Sequence, residues 1–472
     1  MELFSDKPGD EGLPGHERGL AMAAVMIMAT MAVFDGSMVN IALPQIAQAL
    51  DISAGAAVWV SNGYLLSASM TLAIFAELAS HIGFRRLFAA GLTVFTLASL
   101  GCALSSSLDT LIFMRVLQGI GAAATLSIGP AILRSVFPNR LLGRILGLNA
   151  LIIATSTAIA PVLGGTILSG MSWQWLFAIN IPLGVMAIIL TLRVVPANPA
   201  ATQSPFDVSG AVLSAVAPGA LIMAADSFSH LGNHELMTAI TYGLIAVIAG
   251  MAFVWRQRRA PKPLLPLGMF ASSRFTLAAF TSLASFISQG ITFVALPFLF
   301  QSVYGYSAFV SALLFTPWPL GIILAAPHAG RYADRYPAAI ISTAGLCVFA
   351  LGLVLLAKLP EHAQVWDIGL RSFICGLGFG CFQSPNNREM LSSASRENSG
   401  YASGVLAIMR TFGQCLGAAC VGVILTIYSA SNVLHEALAV RVSLWVAVIA
   451  TVLAIVISVS RLRNTAAHLQ NG

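Results

Sequence analysis

The feature that most constrains this chain is a series of fourteen apolar runs, the first over 19–44 and the last over 441–461, each long enough for a span of about 20 residues. Lipid offers no partner to a backbone N–H or C=O, so runs of this kind must be helices or the strands of a closed barrel. Barrel strands are about ten residues of alternating polarity, and these runs are neither short nor alternating. They are expected to form helices. The charge content agrees, since only 9% of the residues are charged and 57% are hydrophobic, against about 25% charged for a soluble domain. The expected fold is an all-α integral membrane protein with 14 transmembrane helices.

The formal charge of +6 does not indicate a nucleic-acid partner once the basic residues are placed. Most lie on loops that share a side with the N-terminus, among them Lys7, Arg18, Arg85, Arg86, Arg140, Arg256, Arg258, Arg259, Arg331, Arg335, Arg396 and Arg463. That is the positive-inside pattern. It places both termini in the cytoplasm of a multi-pass protein of the inner (plasma) membrane, with the bilayer as an obligate partner. The first 18 residues have no charged-then-apolar signal organisation.

An internal repeat sets the architecture. Ile41-Ala42-Leu43-Pro44 matches Val294-Ala295-Leu296-Pro297, Glu77-Leu78-Ala79-Ser80-His81 matches Arg331-Tyr332-Ala333-Asp334-Arg335, and Arg115 with Gly119 and Gly121 matches Arg371 with Gly376 and Gly378. The offsets are 253, 254 and about 256 residues. They pair the first six helices with the last six and leave helices 7 and 8 as an inserted pair. The expected divisions are a cytoplasmic tail 1–18, a six-helix half 19–195, linkers and inserted helices 196–274, a six-helix half 275–461 and a tail 462–472. Pro196, Pro199 and Pro205, then Pro261, Pro263 and Pro266, mark the two linkers. Two-fold repeats of helical halves are how many secondary transporters are built, with the site between the halves.

Several chemistries lack their machinery here. No lysine follows a glycine, which excludes the Gly-Lys-Ser/Thr phosphate loop, and neither His-Glu-x-x-His nor Gly-x-Ser-x-Gly occurs. No enzyme activity, metal or cofactor is expected. The six cysteines all lie in apolar runs without a Cys-x-x-Cys pair and read as packing residues. His230 and His234 read as part of a solvated loop.

One acid stands apart. Asp35 is deeply flanked by apolar sequence, and a carboxylate inside a span is expensive enough to be read as functional. About 16 residues at 1.5 Å each put it in the outer half of helix 1. Its repeat-related position holds Gln289, so one half is ionisable and the other neutral. Within spans there are also Arg115, with Gln118 at i+3 on the same helix face, and Arg410, with Gln414 at i+4. Polar groups at such depth need partners. Lining a central cavity or pairing with one another would both supply them.

Four stretches carry a resemblance. They are Asp35 to Pro44, Arg115-Val116-Leu117-Gln118-Gly119-Ile120-Gly121, Pro161-Val162-Leu163-Gly164-Gly165, and Trp173 to Gly184 with its Asn180-Ile181-Pro182-Leu183-Gly184 end. Together with the repeat, they make the chain resemble the fourteen-helix drug:proton antiporter branch of the major facilitator superfamily. The resemblance implies the major facilitator fold, proton coupling through Asp35 and Arg115, and a bend at Pro161, Gly164 and Gly165 that seals one side of the cavity. Asn40, Gln118, Gln289, Gln383, Arg410 and Gln414 are candidate cavity residues. A cytoplasmic latch is expected from Glu77, His81 and Arg85 in the first half and from Asp334 and Arg335 in the second. The chain departs from the family pattern at Ser80-His81, where the family carries Asp-Arg, so the latch is expected to lean on the second half.

The expected function is proton-coupled export of small amphipathic or lipophilic compounds by alternating access. The alternatives are transport of one defined anionic metabolite or siderophore, and a uniporter. A single deep carboxylate suits about one proton per cycle. Whether a periplasmic or outer-membrane partner takes part is left open by the sequence.

Overall fold

A computed structural model describes residues 2–197, 205–230, 233–393, 399–428 and 432–470. Pro199 of the first linker and Arg396 lie outside the described residues. Among the latter, fourteen helices are long and apolar enough to cross a membrane. They are α1 (Gly15–Ala49), α2 (Ala54–Ile82), α3 (Phe84–Ala103), α4 (Leu108–Val136), α5 (Leu142–Gly170), α6 (Trp175–Val194) and α7 (Val208–Ser229). The series continues with α8 (Asn233–Arg259), α9 (Ser273–Val303), α10 (Ala308–Ala333), α11 (Ala338–Ala357), α12 (Val365–Ser393), α13 (Ser399–Ile427) and α14 (Val433–Gln470).

Local chemistry sets the ends and breaks. Ser53, Ser107, Asp207, Ser272 and Ser307 each accept a hydrogen bond from a first-turn backbone N–H at 3.0–3.5 Å, contacts typically worth about 1 kcal/mol. Helix α4 breaks at Ser127-Ile128 before Pro130, and α10 breaks at Thr316 before Pro317, because proline cannot donate to the preceding turn. After Pro297, α9 finishes in wide π-helical turns over Phe298–Val303. The last helix begins eight residues before the apolar run at 441, capped by Asn432, whose Oδ1 accepts the His435 N–H at 2.9 Å. Glu436 and His435 mask that first turn in the sequence.

The repeat reappears as packing. In the first half α1 packs on α5 and α6, α2 on α4, and α3 on α4 and α6; the same pairings recur as α9 on α13 and α14, α10 on α12, and α11 on α12 and α14. The fold is thus two pseudo-symmetric six-helix halves. Between them the contacts are α2 with α13, α5 with α10, and α1 with α9. The first two are exchanged by the same pseudo-two-fold.

The halves seal together at the end of the bundle opposite the chain termini. A Cβ on Gly55, at the start of α2, would stand 2.3 Å from Thr426 Oγ1 of α13. At the other crossing, a Cβ on Gly165 would meet the Ala312 Cβ at 2.7 Å and the Phe309 Cα at 2.9 Å. Gln301 Nε2 of α9 donates to the Ile41 carbonyl of α1 at 2.8 Å. Small residues at such crossings let helix backbones approach closely. Gly165→Val is therefore expected to hold this end apart. Transport should fall at least tenfold in reconstituted vesicles while the detergent-solubilised protein keeps its helical circular dichroism. A variant that transports normally would show that close approach here is not needed.

The inserted pair α7–α8 packs with α7 against both α2 and α13, so it touches the two halves at once. At the terminal side the pair is closed by Asp207, which accepts from Arg256 Nε at 3.1 Å and Gln257 Nε2 at 3.3 Å. The N-terminal tail is tied down as well. Asp10 accepts from Arg140 Nε at 2.8 Å and Nη2 at 2.7 Å, and the buried Arg18 reaches Asp6 at 3.2 Å. The Arg140 hydrogen bonds hold the Asp10 carboxyl well below the usual carboxylate range.

Candidate functional site

Helix α4 approaches α2 closely enough that a Cβ on Gly119 would meet Ser67 Oγ at 2.0 Å and the Tyr64 carbonyl at 2.4 Å. That approach brings Arg115 across α2 to Asp35 on α1. The two form an ion pair with side chains 1% and 0% exposed. Burying two charges is expensive unless the remaining donors and acceptors are satisfied, and this pair is well supplied. Arg115 Nε donates to the Val60 carbonyl at 2.8 Å, and Nη1 donates to Gln118 Oε1 at 2.8 Å as well as to Asp35 Oδ2. Gln118 Nε2 donates to Asp35 Oδ1 and to Ser99 Oγ, both at 2.9 Å, and Asn180 Nδ2 of α6 reaches Ser99 at 3.5 Å. The guanidinium carbon lies 4.5 Å from the Tyr64 ring centroid and 5.6 Å from that of Phe177, within cation–π range. Five helices thus converge on one carboxylate. Gln118, expected in the cavity, is fully buried within this network.

The second half has no such charge at the related place. Gln289 of α9 accepts from Gln414 Nε2 of α13 at 3.1 Å. Arg371, the repeat-related counterpart of Arg115, instead pairs with Asp367 one turn away at 3.0 Å. The packing repeats while the polar chemistry does not, because five substitutable side chains decide the latter and backbone geometry decides the former.

Arg410 differs from Arg115, the other arginine deep within a span. It is exposed, and among the described residues it has no hydrogen bond or ion pair; the Tyr64 phenol lies within its electrostatic reach. Farther along the same helix face, Ala418 and Val421 are 0% exposed and belong to the core that joins the halves. Arg410 thus stands where the sealed core ends and accessible space begins. Gln383 of α12 is half-buried, with no hydrogen bond to a described residue. Asn40 lies on the sealed side, where its Oδ1 accepts the Ser61 hydroxyl at 2.8 Å.

At the terminal end, the Glu77 carbonyl accepts the Ser80 hydroxyl at 2.7 Å and lies 3.1 Å from His81 Nδ1, while Arg85 donates to the Leu192 carbonyl of α6 at 2.5 Å. Asp334 pairs with Arg388 of α12 within its own half; Arg335 lies in the turn that follows α10, its N–H on the Tyr332 carbonyl at 3.0 Å. Pro161 is inside α5. A Cβ on Gly164 would meet the Met38 side chain of α1 at 2.9 Å, so Gly164 and Gly165 face different halves.

Sequence reasoning missed polar contacts at three places. Ser99 and Asn180 complete the Asp35 network, and Asn180 was visible only as part of a motif. Glu389 of α12 pairs with Arg461 at 3.0 Å and Arg274 at 3.4 Å, drawing α9, α12 and α14 together. Asp226 of α7 accepts the Trp59 indole N–H of α2 at 2.9 Å, beside a cavity of about 10 Å³ lined by Gly55, Asn62 and Gly422 among others. The inserted pair therefore holds the sealed end. Asp226→Ala is expected to lower stability by about 1–3 kcal/mol, Trp59→Phe by less, and the double variant by no more than Asp226→Ala alone. Additive losses in thermal melts would mean that the two side chains do not act through this bond.

Comparison with known proteins agrees with this architecture. The family model described as Major Facilitator Superfamily matches residues 25–418. The chain is 41% identical over 416 residues to the uncharacterized transporter YebQ of Escherichia coli (strain K12), covering 88% of this chain and 91% of that protein. It is 29% identical to the riboflavin transporter RibZ of Clostridioides difficile (strain 630), covering 85% and 87%, and 30% identical to the multidrug resistance protein Stp of Mycobacterium tuberculosis (strain CDC 1551 / Oshkosh), covering 86% and 75%. The chain belongs to the Major Facilitator Superfamily and is a multi-pass membrane transporter of fourteen helices.

Proposed function

We propose that this transporter couples inward proton movement to the export of small amphipathic or lipophilic compounds, with Asp35 carrying about one proton per cycle. The observation that carries this reading is the buried Asp35–Arg115–Gln118 network just inside a sealed inter-half contact. An ionised carboxylate at this depth is stable only while Arg115 and Gln118 hold it. Protonation removes the ion pair and frees Arg115 and α1 to move relative to one another. The charge on Asp35 thereby biases which end of the bundle is closed, and a two-state element biased by a proton is what alternating access requires. With the basic loops and termini in the cytoplasm, the sealed end faces outward and Arg410 faces the cytoplasmic side.

The similarity to a named multidrug resistance protein favours export of amphipathic compounds, and the exposed Arg410 favours a second reading, one defined anionic metabolite. Proton release in proteoliposomes separates these from a facilitator. With an imposed pH gradient, adding a panel of lipophilic cations, neutral dyes and carboxylates should collapse the gradient for those compounds that are cargo. Cargo that equilibrates without moving protons would make the protein a uniporter.

A further inference from the structure

We infer that Arg410 is the anchor of an anion subsite, so that the cargo includes amphipathic molecules bearing a carboxylate or a comparable anionic group. This rests on the export reading above and specifies its substrate class.

The charge distribution around Arg410 is one-sided. Helix α13 has no acidic residue and neither does α9. On α1 and α4, Asp35 is already matched by Arg115 and is closed off from the accessible space. The one acid of α2, Glu77, lies within electrostatic reach of Tyr401, nine residues and so roughly 13 Å along α13 from Arg410. The guanidinium therefore faces accessible space with no compensating negative charge near it. A neighbouring amide adds donors rather than acceptors. Gln289 Oε1 is taken by Gln414 Nε2, which leaves the Gln289 amide N–H groups without a partner among the described residues. An unmatched guanidinium at mid-span is expensive, and it presents a planar fork of donors suited to a carboxylate or phosphate. An anion would satisfy the fork, and an apolar body would suit the apolar helices around it. With one proton entering per anion leaving, two charges would cross in the same electrical sense, making export of such a cargo electrogenic.

The field of Arg410 can be read without knowing the cargo. Ala407 shares its helix face one turn away. In Ala407→Cys, the anionic reagent sulfonatoethyl methanethiosulfonate should react faster, relative to the cationic trimethylammonium analogue, than each does with a free thiol in solution. The normalised ratio should be about tenfold and should fall to near one in Ala407→Cys/Arg410→Gln. Unmodified protein sets the background of the native thiols. An unchanged ratio overturns the inference. Binding in lipid nanodiscs then tests recognition. 2-Naphthoate should bind at least tenfold tighter than 2-naphthamide, Arg410→Gln should erase that difference, and Arg410→Lys should keep part of it. Equal affinities in the unaltered protein also overturn the inference. If neutral compounds drive proton release while the naphthoate preference is absent, the export reading stands and the anion subsite falls. If the preference depends on Arg410 but no compound moves protons, the subsite stands and the coupled-export reading falls.

Discussion

Asp35→Asn is expected to abolish substrate-driven proton release, to below a tenth of the unaltered rate, while the protein still inserts and folds. Asparagine has nearly the same shape. Its carbonyl oxygen still accepts from Gln118 Nε2 or from Arg115, and Arg115 retains the Val60 carbonyl, Gln118 Oε1 and the Tyr64 ring face. The side chain can no longer change its charge, which is the one property the proposed coupling step needs. The readout is the decay of an imposed pH gradient in proteoliposomes after cargo is added. Downhill movement of cargo should persist, because nothing in the cavity has been removed. A variant that still releases protons would place the proton site elsewhere, with Glu77, which has no ion pair among the described residues, as the next acid to replace.

The second large effect concerns folding. Arg115→Met leaves Asp35 fully buried without its cation, and removing one partner of a buried pair typically costs about 3–5 kcal/mol. The variant should therefore express poorly and melt early in detergent. Asp35→Asn/Arg115→Met removes both charges together, and similar-volume neutral replacement of a buried pair is often close to neutral. The double variant should regain most of the lost stability and no proton coupling. That asymmetry separates the structural part of the pair from the functional one. Equal stability of the Arg115 variant and the unaltered protein would mean that Asp35 finds another partner, or stays protonated, at little cost.

Some of the site was legible because membrane burial makes rare residues conspicuous. Asp35, Arg115 and Gln118 stand out within apolar runs, and their convergence needed only the expectation that buried polar groups find one another. Their other partners were not legible. Ser99 and Asn180 are small polar residues of kinds that recur throughout the spans, and no local signal selects them. Arg410 and Gln414 were equally visible, yet only the tertiary structure separates them: Gln414 bonds to Gln289, whereas Arg410 has no hydrogen bond or ion pair among the described residues. Asp226 was not singled out by any motif, and it holds α7 to Trp59.

The sequence by itself determined the number of spans, their helical nature, the two-fold repeat and the depth of Asp35. These follow from lipid as a solvent, which punishes an unpaired backbone group or a lone charge wherever in the chain it occurs. Only the tertiary structure decided which end of the bundle is sealed, which polar groups satisfy one another and which cation is left facing accessible space. Those outcomes depend on how two similar halves meet, through crossings such as Gly55 with Thr426 and Gly165 with Ala312. At that level a few ångströms of helix approach, rather than the composition of any single helix, set the energy.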